Sequence, residues 1–232
     1  MKNFSKLEET LGVQFSDHNL LKQALVHRSY LNENPGFELD HNERLEFLGD
    51  AVLELVVTQY LYTHYPNPEG ELTNWRAALV NAKMLAQLAK ASELDKYLYL
   101  SRGESKDGKG KARDYILANA FEAVIGAIYL DQGYDGAAKF IGSVVLVKLP
   151  EILAKKLYVD PKSLFQEKAQ EQLAVTPHYA VLTETGPDHA KQFVVGIMLG
   201  EEKVAEGSGS SKQEAQENAA RAGLAAKGWL EE

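Results

Sequence analysis

The sequence predicts an all-α domain over residues 1–150, a linker at 151–159 and a small α+β domain over residues 160–230 with the order α-β-β-β-α. Three observations predict this division. Apolar residues recur at spacings of three and four through the first 150 positions, the period of a helix with one buried face. Pro150, Asp160 and Pro161 then punctuate the chain. Beyond them the pattern changes to alternation, with Phe193, Val195, Ile197 and Leu199 on one side of a strand.

Leu7, Leu11 and Phe15 begin the helical pattern, and LLKQALVH continues it. The N-terminal stretch MKNFSKLEETLGVQF has no apolar targeting core and reads as an amphipathic helix. Asn34, Pro35 and Gly36 mark a loop over Leu31–Asp40. The stretch HNERLEFLGDAVLEL, His41 to Leu55, follows as a helix running to Pro66. Its Glu43, Glu46 and Asp50 fall within roughly a 60° sector at about 100° per residue. Leu45, Leu48, Val52 and Leu55 form a second face, expected to be buried. Three like charges beside a buried face call for a counter-ion, and a hard divalent cation suits carboxylate oxygens. A solvated acidic face is the commoner meaning of such spacing. A second polar pair, Asn119 and Glu122, weighs against it here.

Pro66 to Gly70 reads as a tight connection, and Thr73 or Asn74 as the cap of the next helix. Ser101–Ala112 is a Gly-rich loop of mixed charge, either plain solvated chain or a phosphate-contacting segment. Asp114–Asp131 is a second key helix whose Ala118, Ala120, Ala123, Gly126 and Ala127 let another backbone approach closely. Crossing it with the first acidic helix would bring Glu46 and Asp50 against Asn119 and Glu122. In the small domain PKSLFQEKAQEQLA is a helix, HYAVLTETG, QFVVGIMLG and KVAEGSGS are strands, and SSKQEAQENAARAGLAAKGWL is the closing helix. Ala215, Ala219, Ala222 and Ala226 give that last helix a small-residue stripe for packing on the sheet.

The chain of 232 residues has no cysteine, which excludes disulfides and thiolate metal sites. No apolar run reaches the ~18 residues of a membrane span, so a cytoplasmic protein without a membrane partner is expected. The net charge is −8, and from Asp160 onward seven Lys and Arg face twelve Asp and Glu. Any nucleic acid must therefore be held by local patches, with weak and strongly salt-dependent affinity.

NERLEFLGDAVL resembles the signature stretch of the ribonuclease III family, the endonucleases of double-stranded RNA. The likeness extends to ALVHRSYLNE at 24–33, the Pro-Glu-Gly-Glu turn at 68–71, RAALVNAKMLAQLA at 76–89 and ILANAFEAVIGAIYLDQGY at 116–134. The tail resembles a double-stranded-RNA-binding domain. The resemblance implies Mg²⁺-dependent hydrolysis, with Mn²⁺ as a substitute and no organic cofactor. It implies 5′-phosphate ends with short 3′ overhangs, in processing of ribosomal and messenger RNA precursors.

By the same resemblance Glu46, Asn119 and Glu122 would hold the metal, with Asp50 and Glu122 catalytic and Asp50 ordering the attacking water. Glu43 would lie at the rim of the cleavage centre, and Glu69 would be a further acid of the cleavage valley. The family works as a homodimer, in which Phe47 would be a contact. Gln166, Glu167 and His189 would reach the RNA minor groove, and Ser211 and Lys212 would open the last helix onto a phosphate.

The family usually has Asp at the position of Asn119. Three readings follow: a natural variant that still cleaves, an introduced change that traps substrate, or a double-stranded-RNA-binding protein with weakened or absent cleavage. The first is favoured because every other acid of the site is present. A di-iron carboxylate centre ranks last, since Glu43-x-x-Glu46 and Asn119-x-x-Glu122 contain no histidine.

Overall fold

The structure is a computed structural model that describes residues 3–106, 110–187 and 191–229. It divides into two compact units, Met1–Tyr158 and Val159–Glu232.

The first unit is helical, as expected. Its helices are α1 (Phe4–Leu11), α2 (His18–Ala24), α3 (Arg28–Glu33), α4 (Glu43–His64), α5 (Glu69–Val80), α6 (Ala82–Ala91), α7 (Arg102–Lys106), α8 (Lys111–Val144) and α9 (Leu149–Ala154). α4 and α8 form the centre, and α2 and α6 pack on α8. The core between them includes Leu53, Val57, Leu61, Phe121, Val124 and Ile128, all buried. α8 breaks once, at Gly133, whose φ of 72° suits glycine. Just before the break the Asp131 carboxylate accepts hydrogen bonds from the Ser16 and Asp17 backbone N–H groups at 2.9–3.1 Å, which fixes α8 to the start of α2.

Several local details differ from the sequence expectation. The stretch Ser101–Ala112, expected as loop, contains α7 and the start of α8. Glu69 does not lie in a loop: α5 starts at Glu69 after Pro68, whose φ of −55° presets the first turn. Neither Thr73 nor Asn74 caps a helix. Instead Asn81 separates α5 from α6, and its side chain accepts from the Met84 N–H at 3.0 Å. Leu149–Ala154, within and beside the expected linker, is helical, and it buries Leu149 and Ile152 in the core of the first unit.

The second unit has the expected order: α10 (Pro161–Leu173), β1 (His178–Thr185), β2 (Gln192–Leu199), β3 (Glu202–Gly209) and α11 (Lys212–Lys227). The sheet is antiparallel in the order β1-β2-β3, and Val195 pairs with both Val181 and Gly207. Phe193, Val195, Ile197 and Leu199 are buried under the helices, as their alternation predicts. The packing stripe of α11 is shifted from the predicted one. Ala215, Ala219, Ala220, Gly223 and Leu224 are buried, whereas Ala222 is half-buried and Ala226 exposed. The reason is that Gly223 seats against Phe165 and Ile197, which turns the later residues of the predicted stripe outward.

Candidate active site and RNA-binding face

α4 and α8 touch backbone to backbone. A Cβ on Gly49 would overlap the Glu122 carbonyl, and one on Gly126 would overlap the Leu45 carbonyl. Only glycine at both positions allows this approach. The consequence is chemical. Glu46 and Asp50 flank Gly49 on α4, and Glu122 lies one turn before Gly126 on α8. The crossing therefore delivers Glu46, Asp50, Asn119 and Glu122 to one place.

The electrostatics of these groups confirm that they sense each other. Burial pushes the Glu122 carboxyl up to about 8, with the Asp50 and Glu46 charges adding to the effect. The Glu46 carboxyl is raised too, first by burial, then by Glu43 and Asp50. The Asn119 amide, donating a hydrogen bond to Glu46, partly offsets this rise. Its carbonyl oxygen remains suited to a cation as a neutral donor. Asp50 is exposed. Among the described residues no three His, Cys, Asp or Glu side chains are grouped as a ready metal cage. The donor set is two partly buried carboxylates, one amide and an exposed carboxylate beside them. These hard oxygen donors, two of them carboxylates whose proton affinity burial and neighbouring acids raise, fit a divalent cation of the Mg²⁺ type.

Glu43 stands at the rim, 48% exposed, with the Arg28 guanidinium at 3.6 Å and the His41 ring at 3.8 Å. Arg28 opens α3, which the chain holds in place through the Val26–Tyr99 bridge and the Asn42 N–H bond to the Val26 carbonyl. Glu69 is not brought to this cluster. It lines a groove with Thr58, Tyr62 and Arg76, at least two turns along α4 from Asp50.

The same helix carries an exposed apolar stripe. Phe47 and Tyr62 are each 81% exposed and Leu55 57%, with Ala51 between them. The prediction of a buried Leu55 is thus overturned, while Leu45 and Val52 are buried and Leu48 half-buried. The buried face of α4 is instead completed by Gly49, Leu53, Val56 and Val57. Beside Phe47 opens a cavity lined by Leu20, Gln23, Leu48 and Leu130.

In the second unit Gln166 and Glu167 are exposed on α10, on the side away from buried Phe165 and Ala169. His189 lies outside the described residues. Ser211 caps α11 by accepting the Glu214 N–H at 3.2 Å. Lys212 is exposed in its first turn, 3.9 Å from Glu184 and over the Phe193 ring at 5.7 Å. The Glu214 carboxylate accepts the Ser210 N–H at 2.9 Å and its hydroxyl at 2.6 Å, which places an acid beside this opening turn.

Comparison with known proteins matches residues 17–149 to the ribonuclease-III-like family and residues 161–226 to the double-stranded RNA binding motif. Ribonuclease 3 of Dehalococcoides mccartyi is 42% identical over 225 residues, which cover 97% of this chain and 94% of the relative. Ribonuclease 3 of Chloroflexus aurantiacus is 44% identical, covering 96% and 91%. The chain belongs to the ribonuclease III family. It is an endoribonuclease domain followed by a double-stranded-RNA-binding domain. A solved nuclease domain of Campylobacter jejuni ribonuclease III is 42% identical with a TM-score of 0.57, and covers 64% of this chain and 99% of that one.

Seen as a ribonuclease III, the molecule brings Glu46, Asp50, Asn119 and Glu122 together within one chain, with Glu43 at their edge. Sequence reasoning missed Leu55 and Tyr62 as exposed apolar residues, and Arg28 as the cation at the rim. The ALVHRSYLNE segment contains Arg28, but nothing in its spacing links position 28 to position 43. Among the described residues no helix is long and apolar enough to cross a membrane.

Proposed function

We propose that this ribonuclease III cleaves double-stranded RNA as a homodimer, with Mg²⁺ at the α4–α8 crossing and Mn²⁺ able to replace it. It would leave 5′-phosphate ends and short 3′ overhangs on structured ribosomal and messenger RNA precursors in the cytoplasm. The observation that carries the proposal is the crossing itself. Two glycines force two helices together so that Glu46 and Glu122 share a partly buried site in which burial raises the proton affinity of both, and the Glu46 and Asp50 charges raise that of Glu122 further.

Glu46, Glu122 and the Asn119 carbonyl oxygen are the groups that would hold the cation. When bound there, Mg²⁺ supplies charge stabilisation for the phosphate and an acidified water. The chain's own part is positioning. Asn119 donates to Glu46 and keeps that carboxylate aimed across the crossing. Asp50, the exposed acid, accepts a hydrogen bond from the attacking water and orients it. Arg28, drawn towards Glu43, offers a guanidinium at the rim to the approaching phosphodiester backbone.

The apolar stripe supports the dimer. Phe47, Ala51, Leu55 and Tyr62 extend along about 22 Å of α4 at 1.5 Å per residue. Exposed apolar surface on this scale marks an interface. A two-fold contact uses the same patch on both copies. Phe47 and the cavity beside it supply a knob and a socket on one face. The C. jejuni nuclease domain was described for flexibility in a region involved in dimer formation. Glu69 would join the cleavage valley through the second copy. Sedimentation at micromolar concentration tests this: a dimer is expected, with Phe47→Glu shifting it to monomer, and a monomeric parent chain refutes it.

A gel assay on a long labelled RNA duplex with Mg²⁺ tests catalysis, using this chain beside Glu122→Ala and Asn119→Asp. Cleavage by the parent chain, and none by Glu122→Ala over the time in which the parent consumes its duplex, is the expected result. The second reading, a double-stranded-RNA-binding protein that does not cut, is favoured by the missing charge at Asn119. Its signature is a parent chain that only retards the duplex while Asn119→Asp cuts it.

A further inference from the structure

The second unit holds six lysines and Arg221 against its many acids. Among the described residues most of these cations are already drawn to carboxylates. Lys168 pairs with Glu171, Lys191 and Lys212 with Glu184, Lys203 with Glu206 and Lys227 with Glu202. Lys162 is different. Its ammonium donates to the neutral Gln216 side-chain oxygen at 2.7 Å and sits over the Tyr179 ring, 5.0 Å from its centroid. An amide and a ring orient the ammonium without neutralising it. Two of its three N–H donors remain for another acceptor.

The position of Lys162 matters as much as its charge. Gln216 is four residues after Lys212, so the two project from one stripe of α11, with Cβ atoms about 5–6 Å apart. Lys212 is itself propped over an aromatic ring, Phe193. Two ammonium groups, one from each helix of the unit, therefore flank Gln216. Each ammonium is held over a ring and so loses little freedom on binding. Arg221, the other cation with no ion pair among the described residues, lies about 180° around α11 from Lys212 at 100° per residue.

We propose that Lys162 binds a backbone phosphate of double-stranded RNA, acting with Lys212 across Gln216. The inference rests on this unit being the double-stranded-RNA-binding surface. It makes a residue of the first helix supply a charge that the last helix, with Lys212 alone in its opening turns, does not. A phosphate contact carries no sequence information, so its effect is uniform across duplexes.

The test is binding of a blunt RNA duplex to the full-length chain in a Glu122→Ala background with EDTA, measured by fluorescence anisotropy over a range of salt concentrations. Lys162→Gln is expected to weaken binding roughly 5-fold at about 0.15 M salt and to flatten the log Kd against log salt slope by about 0.9. Lys162→Arg keeps both values, and Arg221→Gln changes neither. Gln216→Ala removes the internal hydrogen bond and leaves the charge, so the slope is retained. If Gln216→Ala matches the loss seen with Lys162→Gln, the lysine is only structural and the proposal is overturned. Lys162→Gln without effect beside a weakened Lys212→Gln also overturns it, while leaving the RNA-binding reading intact. No effect from either lysine removes this face as the RNA surface, and the proposal with it.

Discussion

At the α4–α8 crossing each candidate functional group hangs from packed backbone, whereas on the RNA-binding unit most candidate contacts are exposed side chains. In the first region Gly49 and Gly126 set where Glu46, Asp50, Asn119 and Glu122 stand, and their charges interact through partly buried surroundings. In the second, Gln166, Glu167 and Lys212 are exposed, and Lys212 shares Glu184 with Lys191. The difference is one of tolerance. A catalytic centre that concentrates like charge needs rigid geometry, because any relaxation separates the acids. A surface that reads duplex shape spreads small contributions over many side chains, and each can be lost singly.

Glycine gives the sharpest way to break the comparison, since both regions use one for close approach. A Cβ on Gly49 would overlap the Glu122 carbonyl, and a Cβ on Gly207 in β3 would overlap the Ala219 N–H in α11. Each Gly→Ala change should destabilise its own unit by about 3 kcal/mol or more, because backbone must move. Calorimetry of the whole chain should show the first transition lowered by Gly49→Ala and the second by Gly207→Ala. Cleavage should vanish with Gly49→Ala only. Gly207→Ala should leave cutting at low salt with a raised KM for duplex. Equal damage to cutting by both variants would mean that the two units do not divide the work in this way.

Removing a charged group at the crossing comes next in size. Glu122→Ala should lower kcat by about 10²–10³-fold, the scale on which loss of one preorganised electrostatic group registers. Duplex affinity in EDTA should stay within about two-fold of the parent. A comparable fall in affinity would place Glu122 in RNA binding and not in chemistry.

Titration separates the regions again. The Glu122 carboxyl has a pKa of about 8 in the folded chain against 4.5 for an ordinary glutamate. Between those values the folded state holds a proton that the unfolded state has released, so stability of the cation-free protein falls as pH rises. The destabilisation is absent below pH 4.5 and complete above about pH 8. Its size is on the order of a few kcal/mol. Denaturant melts in EDTA at pH 5, 6.5 and 8 should show the decline in the first unit. Glu122→Gln should flatten that decline, and a parent chain without it would remove the electrostatic account of the site. The Glu184 carboxyl runs the other way, held low by the Lys191 hydrogen bond, and it is too exposed to carry a measurable pH dependence of stability.

The same contrast governs how much could be read before the structure. The three-and-four spacing of Glu43, Glu46 and Asp50, and the small residues from Ala118 to Ala127, specified the crossing, because helix period and close approach are local properties of a sequence. The alternation at Phe193–Leu199 specified the sheet for the same reason. Leu55 and Tyr62 were not legible as surface: α4 is apolar on two faces, and periodicity alone does not say which of them the rest of the chain covers. The break at Asn81 carries neither proline nor glycine, so only its capping bond to Met84 reveals it. Lys162 was invisible as a contact because its neighbours Gln216 and Tyr179 are 54 and 17 residues away in sequence.

The smallest effect expected is at Asn119, and it has two opposite signs in one residue. In the parent chain the Asn119 amide donates to Glu46 and so eases the burden of like charge. Asn119→Asp removes that donor and adds a further carboxylate beside Glu46 and Glu122. Without a cation the folded state should weaken by about 1 kcal/mol at pH 8, the size of one lost hydrogen bond plus modest repulsion. With a cation the extra charge helps, and the Mg²⁺ concentration for half-maximal cleavage should fall by about ten-fold, equivalent to roughly 1.4 kcal/mol. Melting in EDTA and cleavage across a Mg²⁺ series measure the two signs on one variant. A variant that gains stability in EDTA would mean that the Asn119 amide does not support Glu46. An unchanged Mg²⁺ requirement would mean that position 119 does not reach the cation, which would leave Glu46 and Glu122 alone to hold it.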